Sequence, residues 1–149
     1  MIKQNDIMEG INIALVEAFP DYKVYPKRTP KDFKRPSFLL EYVTTLRKDV
    51  SRNTIEKSVF FKITCFIDLD SHRRPDTDNL AEIQEDILQV FECGYVSVGD
   101  RAIKVQSSNG GFDDDRAYVD LQFEFFDTRT DAVDTTPLVA SVKTNLEEV

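Results

Sequence analysis

The sequence predicts an α+β fold: a mixed, mainly antiparallel β-sheet flanked by two helices, in the order α-β-β-β-α-β-β-β. Three observations predict it. Two stretches, one near the N-terminus and one past mid-chain, repeat apolar residues at helical spacing. Strand-type segments occur three times before the second of these and three times after it. Turn signals join neighbouring strands, so hairpins and antiparallel pairing are the simplest connections, with both helices on one face.

The first helix begins near Asn5 or Asp6, either of which can cap it by accepting a free backbone N–H of the first turn. Ile7, Ile11, Ala14, Leu15 and Ala18 fall on one face, and Pro20 ends the helix. Residues 21–25 make a short strand. Residues 26–36 hold three prolines and five basic residues and read as a loop. Residues 37–43 are a strand with apolar side chains on both faces. Residues 46–52 are polar and read as a hairpin tip or a mobile loop. A long strand covers residues 54–69, with Val59, Phe61, Ile63, Cys65 and Ile67 alternating on one face; residues 70–75 break it.

The second helix covers residues 77–91. Leu80, Ile83, Ile87, Val90 and Phe91 form its stripe, and Gly94 stops it. Residues 95–98 and 101–106 are short strands around a Gly99-Asp100 turn. Residues 109–115 read as another turn region. Residues 118–126 are the cleanest strand: Val119, Leu121, Phe123 and Phe125 point one way, Tyr118, Asp120, Gln122 and Glu124 the other. After Asp127 the pattern stops. Residues 1–127 therefore read as one domain and 128–149 as an extended or flexible tail, either ordered by a partner or disordered. There is no clear internal repeat.

Length and composition agree with one domain. The chain has 149 residues, 41% apolar and 31% charged, with five Gly and six Pro, which is ordinary globular composition. No apolar run approaches a membrane span, and the N-terminal residues lack a signal-peptide core, so the protein is expected to stay where it is made. The net charge of −8 disfavours duplex DNA as a main partner, because binding must neutralise phosphates. That charge is unevenly spread. Residues 1–74 carry 14 basic and 10 acidic side chains; residues 75–149 carry 5 and 17. Residues 23–52 alone hold nine basic and three acidic ones. A chain basic in one part and acidic in another can bind its own copies head to tail, a contact that closes rings or builds filaments. The plainer alternative is solvated surface.

Few residues suggest chemistry. Cys65 and Cys93 have neither a CxxC nor a His pair, and His72 is the lone histidine, so both thiols are expected reduced and buried and zinc is not expected. His72 lacks a nucleophile and an orienting carboxylate. Asp113-Asp-Asp115 lacks the EF-hand spacing and reads as a hairpin tip. Gly110-Gly111 does not join a strand to a helix, so it is a two-residue turn rather than a phosphate loop. The basic loop 27–36 suits an acidic protein surface better than nucleic acid, with Phe33 as an exposed anchor. Asp76, Asp78, Asn79 and Asp100 resemble the metal-binding motif of RusA-type Holliday-junction resolvases, an Asp-x-Asp-Asn opening a helix with a further Asp in a later turn. That resemblance implies a Mg²⁺-dependent endonuclease using Asp76, Asp78 and Asp100. Glu82 stands where that family has a basic residue, and the N-terminal helix stands where it has a strand. The alternative is that Asp76, Thr77 and Asp78 simply cap the helix.

Taken in order, a larger set of segments resembles the phage tail terminator family of phages and prophages in Gram-positive bacteria, over about residues 2–128. These are Phe19-Pro20-Asp21, Phe33-Lys-Arg-Pro-Ser-Phe38, Asn53-Thr-Ile-Glu-Lys57, Val98-Gly-Asp-Arg-Ala-Ile-Lys-Val105, Tyr118-Val-Asp-Leu121 and Glu124-Phe-Phe-Asp127. The resemblance implies a non-enzymatic virion component with no catalytic, cofactor or metal site, assembled in the host cytoplasm. It implies a homo-oligomeric ring, usually a hexamer, at the head-proximal end of the tail tube. Such a ring ends tube growth, docks the neck or connector, meets the last sheath ring in contractile particles and lets DNA pass through an acidic lumen. The basic 23–52 and acidic 75–149 regions would supply the two patches of such a ring. Residues 47–52 and the tail would fasten neighbours or the tube as added strands.

Overall fold

A computed structural model describes residues 2–69, 72, 76–112 and 116–128. Helix α1 spans Gln4–Ala18, followed by β1 (Lys23–Pro26), β2 (Ser37–Asp49) and β3 (Thr54–Phe66). Helix α2 spans Thr77–Val90, followed by β4 (Tyr95–Val98), β5 (Arg101–Phe112) and β6 (Ala117–Thr128). The predicted element order and the α+β class are both found.

The six strands form one sheet in the order β1-β2-β3-β6-β5-β4. Only β1–β2 is parallel; the other pairs are antiparallel. Helix α1 follows the sequence closely. Ile7, Met8, Ile11 and Leu15 are buried, and the Phe19 N–H bonds to the Leu15 carbonyl just before Pro20. Its start is corrected. The cap is Lys3, not Asn5 or Asp6, because Asp6 lies one turn in and its carboxylate reaches back to accept the Lys3 N–H at 2.9 Å. Helix α2 buries Leu80, Ile83 and Ile87, and Gly94 beyond it takes a φ of 88°.

Both helices lie on one face. Their apolar stripes meet Phe38, Leu40, Val59, Phe61, Ile63 and the inward row of β6 in one core. Strand β6 buries Val119, Leu121, Phe123 and Phe125 as its alternation requires, and Phe123 meets Phe61 edge-on at 6.0 Å. Helix α1 crosses β4 closely. A Cβ on the buried Gly10 would lie 2.7 Å from the Ser97 carbonyl oxygen, so only glycine permits the approach.

Two segments read as turns are strand instead, at least in part. Strand β2 continues to Asp49, because β3 pairs with it throughout, Arg47 opposite Lys57 and Lys48 opposite Glu56. Ladder bonds hold this arm beyond the reach of the core, so its side chains need no apolar pattern. Strand β5 likewise runs to Phe112, and Asn109, Gly110 and Gly111 pair with Asp120, Val119 and Tyr118. The two glycines are not a turn: a Cβ on Gly110 would sit 2.7 Å from the Tyr118 carbonyl oxygen. Thr128, assigned to the tail, still pairs with Thr54. Asp113–Asp115, residues 129–149 and most of the 70–75 break lie outside the described residues. No helix among the described residues is long and apolar enough to cross a membrane.

Candidate interaction surfaces

The sheet order turns the charge asymmetry of the sequence into geometry. The basic stretch 23–52 builds β1, the following loop, β2 and the β2–β3 turn, which make one edge of the sheet. The acidic charge of the other half lies on α2, with Asp78, Glu82, Glu85 and Asp86 and no basic residue, and on the central strand β6; β4 is uncharged and β5 carries Arg101 and Lys104. One chain therefore offers a basic sheet edge and an acidic helix.

At the basic edge the loop is tied to the sheet. The Arg35 guanidinium donates to the Ile67 carbonyl at 3.0 Å and lies 5.3 Å from both the Phe33 and Phe66 ring centres. Phe33 and Phe66 are 4.8 Å apart, and the Arg116 guanidinium covers Phe66 at 5.1 Å. Phe33 is therefore not an exposed anchor: it is half-buried, held between a ring and a cation. The Lys34 N–H bonds to the Tyr25 hydroxyl at 3.0 Å.

Beyond Leu40, the strand-addition geometry changes. Strand β1 pairs with β2 only over Ser37–Leu40. Among the described residues no strand covers the outer edge of β2 from Glu41 to Asp49. This arm exposes Val43 (57%) and Leu46 (59%) beside Arg47 and Lys48. At the opposite edge no strand among the described residues pairs with the outer side of four-residue β4, where the Tyr95 carbonyl accepts the Cys93 thiol at 3.3 Å and the Ser97 carbonyl faces Gly10 of α1. An exposed groove runs between β4 and α1, lined by Ile13, Ala14, Glu17, Cys93 and Tyr95. Cys93 is exposed there, correcting the expectation of two buried thiols. It follows the helix end rather than lying on the buried stripe. Cys65 is buried as expected, and that burial pushes its thiol up to about 12.

The carboxylates of the resolvase resemblance are not brought together. Asp76 is the cap of α2 and accepts the Asp78 N–H at 3.0 Å. Asp100 sits in the β4–β5 turn, beside Arg101 at the first residue of β5. Gln84, in mid-α2, approaches Gly110 near the far end of β5, about 30 Å from Arg101 at ~3.4 Å per residue. The start of α2 lies further still along that direction, since the turn after its other end bonds Gly94 to Val105. Among the described residues no group of three or more His, Cys, Asp or Glu could hold a metal ion.

A cluster that the sequence reading missed lies at the end of β6. The buried Asp127 carboxylate accepts the Ile2 N–H at 2.7 Å and the Thr128 N–H at 2.9 Å. Lys57 Nζ lies 3.8 Å away and donates to the Ile2 carbonyl at 3.1 Å. Arg101 lies 3.9 Å from the same carboxylate and donates to the Phe126 carbonyl at 3.0 Å. Burial pushes Asp127 up, but the two backbone N–H groups and Lys57 outweigh it and hold the carboxyl below its ordinary value. Burial lowers Lys57, which Asp127 partly offsets.

The comparison with family sequence patterns now decides the family: the phage tail terminator protein family matches residues 6–135. The chain belongs to the phage tail terminator family. This tail terminator is thus a structural phage tail protein and a virion component. Work with other tail or neck proteins and self-association go with that family. No curated protein matches the tail terminator. Among the solved structures that match, one without a descriptive name has a TM-score of 0.43 at 15% identity, covering 87% of this chain and 97% of the other.

Proposed function

We propose that this tail terminator closes the head-proximal end of the tail tube as a homo-oligomeric ring of six copies. The ring ends tube growth and offers its free face to the neck or connector; in a contractile particle it also meets the last sheath ring. DNA passes through the lumen. The reading assigns contact surfaces, and no catalytic residue, cofactor or metal. The observation that carries it is the family match over residues 6–135, and the separation of charge fits it, with a basic β1–β2 edge and an acidic α2. Two unlike, complementary patches on one subunit are what a heterologous contact needs, and such contacts close into rings when the rotation allows.

The test combines light scattering with tube assembly. The chain alone, or on polymerised tail tubes, is expected to form a ring, and its addition is expected to halt tube growth with one cap per tube in electron micrographs. A stable dimer that cleaves four-way junctions with Mg²⁺, and loses cleavage on Asp78→Asn, would overturn the reading in favour of the endonuclease.

A further inference from the structure

We infer that the chain after β6 crosses the tip of the β2–β3 hairpin, and that residues 137–143 add as an antiparallel strand to the outer edge of β2, between Tyr42 and Lys48 of the same chain. The inference does not depend on the ring reading. It starts from an edge left open. The Leu40 carbonyl accepts the Lys27 N–H just past β1. Beyond the bulge at Tyr42–Thr44, the Val50 N–H turns inward to the Thr54 carbonyl across the hairpin. Backbone groups alternate between the two sides of a strand, so those of Thr45 and Arg47 point away from β3. Among the described residues no strand meets them. An edge of this length is a template for pairing unless something covers it.

The place where β6 ends names the occupant. Thr128 pairs with Thr54 beside the hairpin tip, and β3 alone separates β6 from β2. The position outside β2 is therefore about 14 Å away, three strand spacings. Residues 129–136 reach at most about 26 Å when extended, enough to cross. The family pattern itself continues to residue 135, through this crossing. Direction agrees. Strand β6 runs towards the tip, as β2 does, so a chain that turns round the tip comes back antiparallel to β2. The sequence agrees as well. Pro137-Leu-Val-Ala-Ser-Val142 is the longest apolar stretch of the 21 residues after Thr128, and proline suits the first residue of an edge strand. On the β2 side Val43 and Leu46 are exposed, as is Val50 at the crossing, and Val43 and Phe60 line a groove on the adjoining sheet face. Main-chain bonds give such an added strand its affinity, and pockets for alternate side chains give it register. A tether this short holds the tail at an effective concentration in the millimolar range, so the chain's own tail outcompetes that of a second copy. A neighbour or a tube protein reaches the arm only by displacing the tail.

Hydrogen exchange on the full-length chain tests the contact. The Thr45 and Arg47 amides are expected to exchange about tenfold more slowly than in a full-length chain carrying Ala140→Pro and Ser141→Pro. Two adjacent prolines remove a strand N–H in either register, and unchanged protection of Leu121 and Phe123 shows that the core is intact. Cross-linking places the strand. With Cys93→Ser and Thr45→Cys in place, single cysteines put in turn at positions 138–142 are expected to form a disulfide within one chain, at alternate positions only. Thr45 and Arg47 amides that exchange alike in the two chains would overturn the inference, as would disulfides formed evenly at all five positions. Disulfide-linked dimers in place of the bond within one chain would give the edge to a second copy's tail and overturn the own-chain contact. Protection that arises only when tail tubes are added would give the edge to the tube protein and overturn it too.

Discussion

Asp127 concentrates more polar contacts than any other carboxylate described above. It ties the strand end to Ile2 and sits between Lys57 and Arg101. Its folded-state value is depressed, so its contribution to stability is fully present above the unfolded value and is lost as pH falls through the folded one. Acid unfolding should therefore lose stability progressively below about pH 4, the usual carboxylate range. Asp127→Ala should cost about 2 kcal/mol near neutral pH and flatten this acid limb, read from urea unfolding at several pH values. Lys57 acts with the opposite sign. Its value is lowered by burial, so its cost is present while it is charged and is relieved as pH rises through the folded value. The cluster had one trace in the sequence. Lys57 falls in phase with Ile55 and Val59, both buried, and a lysine in an inward row needs a partner. Alternation says that a partner exists; only the β3–β6 register, which pairs Ile55 with Asp127, says which.

Helix α2 separates the two readings of its acidic start. If Asp76 is a cap, Asp76→Ala should lower stability by about 1 kcal/mol, and Mg²⁺ should not change the melting temperature of either form. A metal-dependent shift abolished by the substitution would restore the catalytic reading. The helices and the inward strand rows were legible because burial against the core imposes a period, as Leu80, Ile83 and Ile87 show in α2 and Val119 to Phe125 in β6. The β2 arm and the end of β5 were not. There the strand is held by its neighbour's ladder and not by the core, so Arg47-Lys48 and Asn109-Gly110 carry turn-like composition in extended backbone. Phe33 was misjudged for a related reason: its partner Phe66 lies far along the chain, and sequence spacing cannot show that contact.

For the whole molecule, the division of charge between the halves was visible by counting, but its meaning depended on topology. Had α2 packed against the β1–β2 edge, the same residues would have neutralised each other within one chain. Because the basic strands make one edge of the sheet and the acidic α2 packs over β5 and β6, the two face outward separately. Association that depends on such patches should weaken with salt. Raising salt from about 0.05 to 0.5 M should shift free chain from ring to smaller species in light scattering, since the screening length then falls well below 10 Å.

The contacts of Asp127 also bear on how the backbone enters and leaves the fold. Ile2 and Thr128 donate to the two oxygens of a single carboxylate, so the first and last described residues lie within a few ångströms of one another. The path of the backbone is nearly a closed circuit. Residues 2–128 joined head to tail by a short peptide would lose loop entropy only in the unfolded chain, a gain of about 4–5 kcal/mol for a circuit of this size, with every strand pair left as it is.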